Sequence, residues 1–301
     1  MPPFSPYYIF AKDGTRLRTA VFETASSRGI CVLLHGQTEF IEKYVEVIGE
    51  LGARGFTVAT FDWRGQGGSA RALADPLKAH VGDFAEYDDD LMSFLEQVVK
   101  PLSPKPLALA HSMGGQILLR ILHDKPGAFS AAAFSAPMLD ISTRDRPAPL
   151  VRLVTALQNL AGQSDSFAWG MAERDPFRAT FDAQLCTSDR ARFARTQDIL
   201  NVNPSLRLAG PTWGWIEAAY RSMAQVLAPG FAEAIQTPAL ICGAGRDRIV
   251  RIEAERDFAH RLPHGTYIEL EDSGHEILME SDPIRARFWQ AFDEFVDLSI
   301  S

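Results

Sequence analysis

The sequence predicts an α/β fold: a mostly parallel central sheet, helices on both of its faces, and a helical cap inserted after the strand near residues 129–135. Three observations predict it. Strand-length apolar runs recur, GICVLL at 29–34, FTVATF at 56–61, LALA at 107–110 and AAAF at 131–134. They are continuous rather than alternating, as strands covered on both faces must be, and segments of helical periodicity separate them. The alternation stops near residue 138 and resumes with PALIC at 238–242 and TYIEL at 266–270.

Taken in order, residues 7–10 and 17–22 flank Asp13-Gly14, a turn dipeptide that favours a hairpin. Residues 39–54 have helical periodicity and stop near Gly55; Glu39 and Lys43, four apart, read as an exposed ion pair worth roughly a few tenths of a kcal/mol. A second helix over 84–99 is closed by Pro101. Residues 107–122, LALAHSMGGQILLRIL, read as a strand, a very tight turn and a helix. Residues 140–232 are rich in Arg, Asp and Pro, with helical runs at 150–160, 191–200 and 213–227 and no clear strand. A long amphipathic helix over 282–298 closes the chain. The expected division is a core of residues 1–137 and 233–301, with 138–232 as the inserted cap.

A chain of 301 residues suits one α/β domain with an insertion. A net charge of −8 argues against a nucleic-acid surface and offers no long-range pull toward anionic membranes. The three cysteines, at 31, 186 and 242, are odd in number and widely spaced, unlike a disulfide framework or a zinc site. Cys31 and Cys242 sit in strand-like runs as small core hydrophobes. The opening MPPFSPYYIF lacks the basic region and apolar run of a leader, and no stretch reaches the roughly 18 apolar residues of a membrane span. The expectation is a cytoplasmic protein, at most peripheral to a membrane. Phosphate-loop and dinucleotide fingerprints are absent, as is any His or Cys pair with ligand spacing. Neither a metal nor a cofactor is expected.

The chemistry centres on Ala110-His111-Ser112-Met113-Gly114-Gly115. This departs at one position from the G-x-S-x-G nucleophile elbow, Ala110 replacing the first glycine. Such a turn strains the serine backbone, exposes its hydroxyl and aims the unpaired amides of the following helix at whatever the serine attacks. A serine needs a base, and the base an orienting acid. His275, in Gly274-His275-Glu276 just past the last strand, can reach over the sheet. Asp247, in Gly245-Arg246-Asp247 past PALIC, is the candidate acid and also a candidate cap for a helix from Ile249; Asp140 is the rival. The order Ser, Asp, His is that of the α/β-hydrolases. Two amides must face the developing alkoxide: Met113 follows the serine, and Gln37 follows His35-Gly36 at the end of GICVLL. An unperturbed histidine base would give an acid limb around 6.5.

At these residues the chain resembles the α/β-hydrolases that include monoacylglycerol lipases and bacterial lysophospholipases. The carrying segments are His35-Gly36-Gln37-Thr38-Glu39 with Tyr44, Phe61-Asp62-Trp63-Arg64-Gly65-Gln66-Gly67-Gly68-Ser69, His111 to Gly115, Gly245-Arg246-Asp247 and Gly274-His275. Gly210-Pro211-Thr212-Trp213-Gly214-Trp215 looks like the lysophospholipase branch. The resemblance implies Ser112 as nucleophile, Asp247 as acid, His275 as base, and Gln37 and Met113 as the oxyanion positions. Phe40 stands where monoacylglycerol lipases carry a histidine near the glycerol pocket. The implied partner is a small lipid ester, met by transient contact with a membrane surface; no nucleic acid is expected and no oligomeric state is assigned. Trp213, Trp215, Leu153, Leu157 and Phe231 are candidates to line an acyl pocket. Short-chain ester, peptide and carbon–carbon bond cleavage stay open on the same fold, as does a non-catalytic binder.

Overall fold

In the computed structural model, which describes residues 5–25, 28–143, 146–172, 175 and 179–299, the chain opens with the expected hairpin. Strand β1 (Tyr7–Phe10) pairs antiparallel with β2 (Arg16–Phe22), Tyr7 opposite Thr19 and Phe10 opposite Arg16. Gly14 turns the chain at φ 84° and Asp13 accepts the Thr15 amide. The first four residues of the segment read for a leader lie outside the described residues. Then follow β3 (Gly29–Leu34), α1 (Val45–Ala53), β4 (Phe56–Phe61), β5 (Lys78–Ala79), α2 (Ala85–Phe94), β6 (Leu107–His111), α3 (Ser112–Asp124) and β7 (Ala131–Ser135). Beyond them come α4 (Ala148–Leu160), α5 (Arg190–Val202), β8 (Gly210–Pro211), α6 (Trp213–Val226), α7 (Phe231–Ala234), β9 (Ala239–Ala244), α8 (Ile252–Arg261), β10 (Gly265–Leu270) and α9 (Asp282–Ser299).

Eight strands form one sheet in the order β1-β2-β4-β3-β6-β7-β9-β10. Only the β1–β2 and β2–β4 pairings within it are antiparallel. The continuity of the apolar runs now has a cause: successive residues serve opposite faces. Val32, Leu34, Ala108, Ala110 and Phe134 pack with α2, α3, α6 and α8, whereas Cys31, Leu33, Leu107, Leu109 and Ala133 pack with α1 and α9.

Three expectations need correction. The segment 39–54 is not one helix. Phe40 is extended, Ile41–Tyr44 forms a 3₁₀ turn, and α1 begins at Val45. The Asp62 carboxylate takes the Ile41 amide, and Glu39 bends back to the Gly36 amide. Glu39 and Lys43 are therefore buried, 3% and 8% exposed, and are not a surface couple. The helix over 84–99 changes pitch: α2 ends at Phe94 and a π turn runs over Leu95–Val99. Finally, 140–232 does contain a strand. The two residues of β8 pair parallel with β5, too short a ladder to leave an apolar run.

The chain leaves the sheet after β7 and returns at β9. Helix α6 of that insertion lies in the same apolar cluster as α2 and α3 through Trp215, Ala218, Ala219, Met223 and Val226. Gln116 of α3 donates to Ser222 at 2.6 Å, and Arg120 donates to Gln225 at 2.5 Å while paired with Asp88. Helical periodicity cannot say which surface a stripe covers; the apolar stripe of α6 covers α2 and α3. Trp215 is 4% exposed, meets the Phe84 ring at 5.7 Å and donates Nε1–H to Tyr87 at 3.2 Å. Trp215→Ala should therefore lower unfolding free energy by about 3–5 kcal/mol in urea titrations; an unchanged midpoint would contradict this packing.

Candidate active site

Strand β6 runs into α3 without a loop. His111 is extended at φ −113° and Ser112, the first residue of α3, is at φ 49°. A non-glycine residue rarely adopts that conformation, which must be held by its surroundings. A Cβ on Gly114 would lie 2.6 Å from the His35 carbonyl oxygen and 2.8 Å from that of Leu34; one on Gly115 would meet Pro137 at 3.0 Å. Helix α3 thus sits against the end of β3 at a distance only glycine allows. Ala110, the departure from the motif, pairs with Leu34 and Phe134 inside the sheet and packs its methyl in the core.

Ser112 Oγ lies 2.9 Å from His275 Nε2, and His275 Nδ1 lies 2.6 Å from Asp247 Oδ2. With Asp247 ionised, Nδ1–H donates to the carboxylate and Nε2 accepts the serine proton. Asp247 follows β9, and its other oxygen takes the amides of Ile249 (2.7 Å) and Val250 (2.9 Å). It caps this turn and not a helix, since α8 starts at Ile252. The rival Asp140 faces Arg251 instead, 3.4 Å away. The His275 loop follows β10 and is tied to the insertion: the Glu276 amide donates to Cys186 O, and Glu280 accepts the amides of Gly274 and Ser188. Ser112 and His275 are 6% and 4% exposed.

Burial alone pushes His275 down. The Asp247 charge and hydrogen bond, with Glu276 and Glu39 further off, outweigh it and hold the imidazole above its ordinary value. Burial likewise pushes Asp247 up, yet His275 and the two turn amides keep its carboxyl below the usual range. The His111 ring lies 4.9 Å from that of His275 and pairs through Nδ1 with the Ser135 carbonyl. Burial lowers its pKa to about 4, so it stays neutral beside the base.

Met113 is the second residue of α3, so its amide belongs to the unpaired first turn. Gly36 lies alongside: a Cβ there would be 3.2 Å from Ser112 Cβ, which brings the next residue, Gln37, to the same side. Sequence reasoning missed Gln66. Its Oε1 accepts the Thr38 amide at 2.5 Å and its Nε2 approaches Met113 Sδ at 3.8 Å, so it bridges the loop after β3 and the first turn of α3. The signal lay in the turn around it, since Gly65 and Gly67 have φ 78° and 48° and a Cβ on Gly67 would overlap the buried Asp62 carboxylate.

The remaining substrate candidates do not gather into one group. Phe40 packs with Leu200 and Leu206 of the insertion. Trp213 meets Trp169 edge to face at 5.3 Å. Trp215 and Phe231 lie in the main core, whereas Leu153 and Leu157 are exposed. Among the described residues, no group of three His, Cys, Asp or Glu side chains is placed to hold a metal.

The family described as serine aminopeptidase, S33, matches residues 25–282. Lysophospholipase L2 of Escherichia coli strain K12 is 33% identical over 294 residues, which cover 94% of this chain and 84% of that one. Two solved structures share the fold. A monoacylglycerol lipase from Paleococcus ferrophilus superposes with a TM-score of 0.73 at 23% identity, covering 93% of this chain and 98% of that one. A soluble variant of the monoglyceride lipase of Saccharomyces cerevisiae, in complex with a substrate analog, gives 0.78 at 19% identity, covering 100% and 96%.

If His275 must be neutral to take the Ser112 proton, reactivity should fall as pH drops through its raised pKa. Labelling by a fluorophosphonate should therefore show an acid limb above about 6.5, the ordinary histidine value. Asp247→Asn should slow labelling and move the limb down, and Ser112→Ala should abolish labelling. A limb below the ordinary value in the unmodified protein, or an adduct mapped to another serine, would overturn the assignment.

Proposed function

Since the chain belongs to the serine aminopeptidase S33 family and has the α/β-hydrolase fold, we propose that it is a serine hydrolase of lipid carboxylic esters, most closely a lysophospholipase or monoacylglycerol lipase. The observation that carries the chemistry is the unbroken hydrogen-bond line from Asp247 through His275 to Ser112. In this reading Ser112 attacks the ester carbonyl as His275 removes its proton. The Met113 and Gln37 amides hold the alkoxide. Imidazolium, held by Asp247, protonates the leaving alcohol, and water then releases the acyl chain by the same route. The substrate class is supported by the E. coli relative, which this chain matches over most of both lengths. By the family resemblance, Phe40 stands where monoacylglycerol lipases carry a histidine, which favours the lysophospholipid side of the pair.

The reading includes a cap, a membrane surface and a cytoplasmic location. The buried triad requires part of the insertion to move before a long chain can enter, and Trp213, paired with Trp169 outside the main core, is placed to line its path. Helix α4 exposes Leu150, Leu153, Leu157 and Leu160 at spacings of three and four and holds no acidic residue. That stripe suits shallow insertion where a lipid ester is presented. Among the described residues, no helix is long and apolar enough to cross a membrane.

A hydrolysis panel tests the proposal, using lysophospholipids, monoacylglycerols, butyrate esters and an aminoacyl amide. Long-chain monoacyl lipids should be cleaved with the higher kcat/KM. Leu153→Ser with Leu157→Ser should slow vesicle-borne substrate several-fold and leave a soluble butyrate ester unaffected. Preference for the amide or for butyrate would overturn the substrate class; equal losses on both ester forms would remove the membrane contact.

A further inference from the structure

The reaction as proposed leaves a group of buried charges next to the triad without a task. Lys43 Nζ lies 2.8 Å from Glu39 Oε1 and 2.7 Å from Glu276 Oε1. The other Glu39 oxygen accepts the Gly36 amide at 2.5 Å and the Tyr44 hydroxyl at 2.7 Å. Glu39 and Lys43 are almost wholly buried, and Glu276 is half-buried. Burial opposes both charges, but the Lys43 ammonium holds the Glu39 carboxyl well below its usual range, while Glu276 and Glu39 keep Lys43 above its own. Glu39 and Lys43 are therefore a charged pair, and with Glu276 the cluster sets two acidic side chains against one basic one, a formal excess of one negative charge.

Buried ion groups cost desolvation and are weak evidence for stability. What this one connects is more informative. Glu39 grips Gly36, the residue before Gln37. Glu276 adjoins His275, and its amide holds Cys186 of the insertion. One cluster therefore joins the loop after β3, the loop after β10 and the insertion.

We propose that Glu39, Lys43 and Glu276 are positioning residues for the hydrolysis: a buried ion triad that locks the loop bearing the Gln37 amide to the loop bearing the base, and leaves one uncancelled negative charge beside the imidazolium. The proposal rests on the Ser112–His275–Asp247 reading and adds residues that act through that triad without touching substrate. The groups facing His275 are Asp247 from the loop after β9, neutral His111 from β6, Glu276 from its own loop, and Glu39 with Lys43 from the segment after β3. The Cys186 thiol, pushed up by burial and Glu276, is uncharged.

The test is the acid limb of kcat/KM in charge-changing variants. Glu39→Gln and Glu276→Gln each remove one negative charge and should each move the limb down by about half a pH unit or more. Lys43→Met should lower kcat about tenfold with little change in KM, because the two loops lose their tie. Glu39→Gln combined with Lys43→Met restores the net charge, so its limb should return toward the wild-type value while kcat stays low. A merely structural role would lower activity without this down-and-back movement, and limbs that stay fixed in both single glutamine variants would overturn the proposal. If Glu39→Gln does not fold, Glu276→Gln at the half-buried end carries the measurement. Fluorophosphonate labelling of the wild-type protein separates the two failures. Absent labelling at Ser112 overturns the nucleophile reading, whereas normal labelling with fixed limbs overturns the ion triad alone.

Discussion

Ser112 stands at φ 49° between a strand and a helix that have no room to separate. On one side Gly114 and Gly115 bring α3 against the His35 carbonyl and Pro137; on the other Gly36 lies beside the serine itself. A methyl at Gly114 would overlap backbone, which cannot rotate away. That close approach sets the place of every other group in the site. It brings the loop after β3 level with the serine, opens the first turn of α3 toward the same point, and leaves His275 to come from above the sheet. The three strands β3, β6 and β7 pair in parallel, so their carboxyl ends deliver these loops to one edge.

Around that constraint the protein keeps an unusual amount of buried charge. Asp62 takes Arg18 and the amides of Ile41 and Gly68, fixing the turn that carries Gln66 to the 3₁₀ segment after Phe40. Arg64 is held by Asp90, Asp13 and Glu86. Arg285 and Arg192 share Glu46, joining α9, α5 and α1. Each network spans segments distant in sequence and holds one loop of the strand-end face. Such networks satisfy buried polar groups and fix geometry more than they add stability.

The parts legible in the sequence were those written in local patterns. Strands buried on both faces announce themselves as continuous apolar runs, and the elbow, the Asp247 turn and the Gly274-His275 loop each carry a short motif. What could not be read depended on packing at long range. Glu39 and Lys43 sit four apart, as on any solvated helix, and only the Asp62 and Gly36 contacts show that the segment folds inward. Trp215 and Trp213 are two residues apart in one motif, yet one fills the core and the other meets Trp169. Strand β8 leaves no pattern because two residues cannot alternate. Gln66 lay inside a quoted motif, but its bridge from Thr38 to Met113 exists only once two loops meet.

In the proposed reaction a lipid acyl group passes through Ser112. Rapid acid quenching of wild-type protein with a long-chain monoacyl lipid, followed by intact mass and peptide mapping, tests it most directly. The expected result is a transient mass increase equal to one acyl group less the displaced hydrogen, located on Ser112 and decaying as free fatty acid appears. Turnover of the lipid with no acyl group on Ser112, together with undiminished turnover by Ser112→Ala, would contradict it.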